Sequence, residues 1–120
     1  MMRNKFLKIL FVFYFLNFTS SSALDIKWIV DGLSQPESVI YDKNSNSIYI
    51  SNINGDPLEL NGEGYITKIS VDGQIMEKKW ITGLDAPKGL ALYNDFLYVS
   101  DVNKIWKISI SDKKKVFFLV

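Results

Sequence analysis

The chain has 120 residues, of which 48% are hydrophobic and 22% charged, and its 14 basic and 13 acidic residues give a formal charge of +1. This composition excludes a disordered tail and a nucleic-acid-binding domain held by bulk positive charge, and it fits one small globular domain. The sequence contains no cysteine and no histidine, so disulfides, thiolate nucleophiles and His-based triads or zinc sites are excluded within it. A metal site here would use carboxylate, amide and carbonyl oxygens, which suit calcium or magnesium.

The first 23 residues are typical of a secretory signal peptide. Three basic residues open the segment: Arg3, Lys5 and Lys8. An uncharged apolar run over residues 9–18 follows, and small residues then end at Ala23. The run is shorter than the roughly 20 residues of a membrane span, so an uncleaved anchor is the weaker alternative. Cleavage after Ala23 would remove those three of the 14 basic residues, leaving 11 against 13 acidic ones. We expect a periplasmic or secreted protein without membrane attachment after cleavage.

The remainder of the sequence predicts eight short strands and no helix. The segments rich in β-branched and aromatic residues are 38–41, 47–51, 65–70, 74–81, 89–93, 96–100, 104–109 and 115–120. Turn signals separate them, among them residues 42–46 and the Asp72-Gly73 pair, which favours a tight hairpin. The sequence therefore predicts an all-β fold.

An internal repeat refines this prediction. Three motifs recur 51, 49 and 39 residues further along: Gly32-Leu33-Ser34-Gln35-Pro36-Glu37 as residues 83–88, Tyr49-Ile50-Ser51-Asn52 as residues 98–101, and Ile66-Thr67-Lys68-Ile69-Ser70 as residues 105–109. A period of about 40–50 residues with four strands each is typical of β-propeller blades. We predict a partial propeller over residues 24–120, with blade one at about 33–82 and blade two at about 84–120.

A third partial copy lies at the start of the mature chain. Residues 27–33 are similar to residues 79–84, the predicted outermost strand of blade one. In a closed ring, such an N-terminal strand would complete the last blade. Two blades and one strand cannot close a ring of about 4–8 blades. We expect either an N-terminal fragment whose missing blades lie further on, or self-association of several short copies.

These blades resemble a known family. Residues 86–92, 96–101 and 104–108 resemble an NHL-type blade, and residues 36–42 with 48–52 resemble the first blade of SMP-30/gluconolactonase/LRE-like six-bladed propellers. The resemblance covers nearly all of residues 24–120 and implies a hydrolase of the lactonase type with a divalent cation (calcium or another) near the central axis. It makes Glu37 the metal-binding and catalytic residue. Lys88 departs from the pattern, because the family carries an Asn ligand there.

Strand direction brings the candidate site residues to one rim. The four strands of a blade alternate in direction, so the loops before the first strand and after the second lie on the same side. Four polar residues stand at these strand ends: Glu37, Lys88, Asn52 and Asp101. Residues 54–64, which carry Asp56, form an insert that the second blade lacks. We predict that Asn52, Asp56, Lys88 and Asp101 bind ligand.

Each candidate also has a structural interpretation. Asn52 and Asp101 would bond local backbone, as Asn and Asp often do in turns. Glu37 and Lys88 would be solvated rim residues, and the insert would cap the rim. The spacing of the acidic residues in the insert does not match that of an EF-hand calcium loop.

Three hypotheses follow for the function. The first is an exported, metal-dependent lactone hydrolase in which Glu37 holds the cation. The second is a non-catalytic propeller that binds a small molecule or a protein on its rim, which Lys88 and the insert favour. The third is a structural piece that assembles with its own copies. A nucleic-acid partner is not expected, and the Lys113-Lys114-Lys115 run is interpreted as a solvated turn.

Overall fold

The computed structural model describes residues 23–120, and within that range all regular structure is β-strand. Eight strands follow in chain order: β1 Pro36–Asp42, β2 Ser47–Asn52, β3 Gly64–Ser70, β4 Ile75–Leu84, β5 Leu90–Tyr93, β6 Phe96–Ser100, β7 Lys104–Ser109 and β8 Lys115–Leu119. The prediction of an all-β fold is confirmed, with strand ends within a few residues of those expected. The predicted signal peptide, apart from its last residue, lies outside the described residues.

The strands form two four-stranded antiparallel sheets, each a simple meander. Sheet I has the order β1-β2-β3-β4 and sheet II the order β5-β6-β7-β8. Three of their hairpins use Asn or Gly, which tolerate the left-handed backbone region, and the β7–β8 turn places Lys113 there with a φ of 61°. Asn46 has a φ of 49°, Asn94 a φ of 53°, and Gly73, in the predicted Asp72-Gly73 turn, a φ of 85°.

The two sheets bury a shared apolar core. Its members come from both sheets: Tyr49, Ile66, Trp80, Ile81 and Leu84 from sheet I, and Leu97, Val99, Trp106 and Ile108 from sheet II. Strands β1 and β5 also contact each other directly, so the first strands of the two sheets are neighbours. This packing buries one face of each sheet in the contact between them.

The N-terminal segment forms no strand. Residues 23–33 have no regular structure, although the repeat predicted a strand over residues 27–33. A strand needs a hydrogen-bonded neighbour, and none of the described strands pairs with this segment. Instead Trp28 Nε1 donates to the Val71 carbonyl at 3.1 Å. Its indole lies on the β3–β4 turn, where a Cβ on Gly73 would come within 2.7 Å of the ring.

Candidate functional site

The insert between β2 and β3 lies against the beginning of sheet II. Lys88 Nζ donates to the Pro57 carbonyl at 2.8 Å and to the Ala86 carbonyl at 2.9 Å. The Gly62 amide donates to Asp85 Oδ1 at 3.0 Å. These bonds bring Lys88 and the insert together at one rim of the two sheets.

The insert itself is held in place by side-chain caps. Asp56 Oδ1 accepts from the Leu58 amide at 2.8 Å, and Asn61 Oδ1 accepts from the Glu63 amide at 2.9 Å. Asn54 Nδ2 closes the base of the loop by donating to the Glu63 carbonyl at 3.0 Å. Asp56, a predicted ligand-binding residue, is therefore exposed but has one oxygen committed to the turn.

Two leucines of this ordered loop face solvent. Leu58 is 75% exposed and Leu60 is 58% exposed. Three exposed carboxylates share the loop with them: Asp56, Glu59 and Glu63. An ordered loop that presents apolar side chains to water is a common feature of binding surfaces.

Asn52 is fully buried at the end of β2. Its Oδ1 accepts from the Ser34 amide at 3.0 Å. Its Nδ2 donates to the Ile50 carbonyl at 3.1 Å and to Thr67 Oγ1 at 3.0 Å. All of these bonds are internal to the fold, as the structural interpretation expects, and its predicted ligand binding stays a prediction.

Asp101 occupies the corresponding place in sheet II. Its carboxylate accepts from the amides of Asp85 at 2.8 Å and Ala86 at 2.7 Å, and from Trp106 Nε1 at 2.9 Å. The Val102 amide donates to it at 2.8 Å. Burial alone would raise the pKa of Asp101, but these four bonds outweigh burial and hold its pKa below the usual range.

Asp101 and Asn52 hold the same junction in the two sheets. In each, the side chain at or just after the end of the second strand accepts from the amide of the residue that directly follows a Gly-Leu pair. Each also bonds the third strand, at Thr67 in sheet I and at Trp106 in sheet II. Sequence reasoning missed these partners, although the repeat already aligns Thr67 with Trp106.

Glu37, the predicted catalytic and metal-binding residue, is exposed at the start of β1. It borders an open groove whose other walls are largely apolar: Leu33, Pro36, Ser38, Val39 and Ile50. Within residues 23–120, no three acidic side chains converge on a point where they could hold a cation. The described residues therefore fit a divalent cation only in part, and the metal-binding role of Glu37 stays a prediction.

Comparison with known proteins finds no matching family, no matching curated protein and no matching solved structure. In the part of the chain that is described, no helix is long and apolar enough to span a membrane.

Proposed function

We propose that the chain is part of an exported β-propeller whose rim binds a partner protein without catalysing a reaction. The four-stranded meanders, the repeat that relates them and the contact between β1 and β5 support blades arranged around a common axis. The scaffold is all-β, and its ligands would meet it at the loop ends.

The observation that carries the binding proposal is the insert at residues 54–64. Bonds to Lys88 and Asp85 hold it against sheet II, so little conformational entropy is lost when a partner binds. It exposes Leu58 and Leu60 among three carboxylates. The fitting partner is a protein segment with apolar side chains flanked by lysine or arginine.

Selection from a displayed library of random 12-residue peptides tests this proposal. We expect the bound peptides to be enriched in basic and apolar residues, and Leu58→Ser with Leu60→Ser to weaken their binding at least tenfold. Val71→Ser, at an exposed apolar residue away from the insert, is the matched control. Peptides that bind the double variant as well as the parent chain would overturn the proposal.

A metal-dependent lactone hydrolase is the second candidate function. Its support is the exposed carboxylate of Glu37 beside an open groove at the start of β1. A bound divalent cation would supply polarisation of the lactone carbonyl. Glu37 would hold that cation, and the apolar groove walls would orient the lactone ring.

The decisive assay is turnover of aldonolactones with and without calcium, magnesium or manganese. The hydrolase proposal expects metal-dependent turnover that Glu37→Gln abolishes and Glu59→Gln, an exposed carboxylate on the insert, leaves intact. Absence of turnover with all three metals would exclude it.

Mass spectrometry of the exported protein tests the proposed periplasmic or secreted location, with Leu24 expected as the first residue.

A further inference from the structure

Because sheet II repeats the sequence of sheet I, it carries an equivalent of the face that sheet I buries against it. The contact between the two sheets is therefore a template for a second contact of the same kind. On sheet I, the face that packs against sheet II carries three buried residues: Tyr49, Ile66 and Ile81. Their equivalents on sheet II are Tyr98, Ile105 and Phe118, since Ile105 pairs with Phe118 as Ile66 pairs with Ile81. This second set lies on a bare face.

The bare face of sheet II is strongly apolar. Strand pairing places four large apolar residues that are largely exposed on it: Tyr93, Ile105, Val116 and Phe118. Phe118 is 56% exposed and Tyr93 is 69% exposed. Lys107 lies on the same face, where its ammonium is 4.2 Å from the centroid of the Phe96 ring. An exposed face with this many large apolar side chains marks an interaction surface.

The receiving half of the template is exposed along β1, at the opposite end of the molecule. Sheet II receives sheet I on a face formed by Leu90, Leu92, Leu97 and Val99. The residues of sheet I at the same repeat positions are Val39, Tyr41, Ile48 and Ile50. Val39 is 66% exposed and Tyr41 is 50% exposed. The two faces that bury each other within the chain thus have counterparts at its two ends. The counterpart on sheet II is exposed, and the one on sheet I is exposed along β1 but buried at Ile50, which is 7% exposed.

A hydroxyl pair indicates what covers the bare face. Ser51 Oγ accepts from the Ser38 amide at 3.0 Å and donates across the sheets to the Lys88 carbonyl at 2.7 Å. Ser100, its repeat equivalent, accepts from the Gly89 amide at 2.8 Å in the same way. Its only acceptor among the described residues is the Gly89 carbonyl, at a long 3.4 Å. Within residues 23–120, no carbonyl takes the position beside Ser100 that the Lys88 carbonyl takes beside Ser51.

We infer that a second copy of this chain docks head to tail, with the Val39–Tyr41 face of its sheet I on the bare face of sheet II. Its Pro36-Glu37 pair matches Pro87-Lys88, so the second copy's Glu37 carbonyl takes the place beside Ser100 that the Lys88 carbonyl takes beside Ser51. Each copy uses a different face at each contact, so the association is heterologous. Repeat units of this kind bury their apolar faces by stacking. Val39 and Ile50 also wall the groove beside Glu37, so a docked copy would exclude lactone binding there, whereas partner binding at the insert uses neither docking face.

Sedimentation velocity over a concentration series tests this association. The parent chain is expected to sediment above the mass of one copy. Val39→Lys removes one docking face and Phe118→Lys the other, so each variant alone is expected to be monomeric. Each still keeps one intact face, and an equimolar mixture of the two is expected to form a species of two copies. Recovery on mixing separates a heterologous contact from symmetric pairing or non-specific aggregation.

Val71→Lys is the matched control, because Val71 is also an exposed apolar residue, at 44%, but lies in the β3–β4 turn and on neither docking face. It is expected to associate as the parent does. Far-UV circular dichroism reports whether each variant keeps its β structure, and Tyr41→Lys and Val116→Lys are second variants of the two faces. A parent chain that is monomeric throughout the series, or variants that do not pair on mixing, would overturn the inference.

Discussion

Trp106 Nε1 donates a 2.9 Å hydrogen bond to Asp101, and this bond holds the same position in sheet II that the Asn52–Thr67 bond holds in sheet I. The donor is reversed between them: Asn52 donates to Thr67, whereas Asp101 accepts from Trp106. The carboxylate also accepts two amides at the start of sheet II, where Asn52 accepts only one in sheet I. One repeat position thus makes the same junction with different chemistry.

Asp101→Ala should therefore destabilise the fold strongly. It leaves the Asp85 and Ala86 amides and the Trp106 indole without their acceptor, and each unpaired buried donor costs about 1–3 kcal/mol. Part of that cost is relieved by water, so we expect a loss of about 3 kcal/mol in the free energy of unfolding, measured in urea. Asp95→Ala, at an exposed turn, is expected to change it by less than about 0.5 kcal/mol. A loss that small for Asp101→Ala would mean that the hydrogen bonds of Asp101 do not stabilise the fold.

Acid should weaken the same junction. The pKa of Asp101 is lower in the folded chain than in the unfolded chain, so the unfolded chain binds this proton more tightly. The stability that this carboxylate provides is complete above about pH 4 and is lost as the pH falls through its folded-state pKa. The slope of the melting temperature against pH, measured between pH 2 and 6, reports this loss of stability.

Asp101→Asn should reduce the slope of the melting temperature against pH without removing it. The pKa of Asp112 is also lowered, by the Lys114 amide, so a smaller pH dependence remains in the variant. An unchanged slope in the Asn variant would show that Asp101 is protonated equally in both states.

Gly64 sets how closely the sheets approach at the rim. A Cβ there would lie 2.3 Å from Pro87 Cδ and 2.8 Å from the Asp85 carbonyl oxygen, and the latter is backbone that cannot move alone. We expect Gly64→Ala to lower the free energy of unfolding by about 1–3 kcal/mol, the usual cost of overpacking. Gly62→Ala is the comparison: its φ is +70° and no atom lies within 4 Å, so only backbone strain of about 1 kcal/mol applies. Equal losses in the two variants would contradict the close approach.

The strands and their order could be predicted from the sequence because short-range signals determine them. Alternation, turn residues and the repeat define each meander, and the Asp72-Gly73 hairpin lies where its turn signal placed it. The hydrogen bonds of Asn52 and Asp101 depend largely on loop amides and a side chain that are 15 to 18 residues away in the sequence, and no local pattern specifies which oxygen accepts which amide. The strand predicted for residues 27–33 does not form for a related reason. The repeat indicates a strand there, but none of the described strands pairs with that segment.

Lys88 should determine how rigid the insert is. Its ammonium, just before the first strand of sheet II, donates to the Pro57 carbonyl of the insert. Lys88→Met keeps the side-chain length while removing both bonds that the ammonium donates. We expect amide hydrogen exchange at Leu58 and Gly62 to become about tenfold faster, since a charged hydrogen bond is worth about 1.5–3 kcal/mol and the Asp85 contact remains. Lys115→Met removes a comparable bond to the Thr82 carbonyl, away from the insert, and should leave exchange there unchanged. If Lys88→Met left the insert protected, its order would come from its own caps, and Lys88 would be available for an anionic ligand.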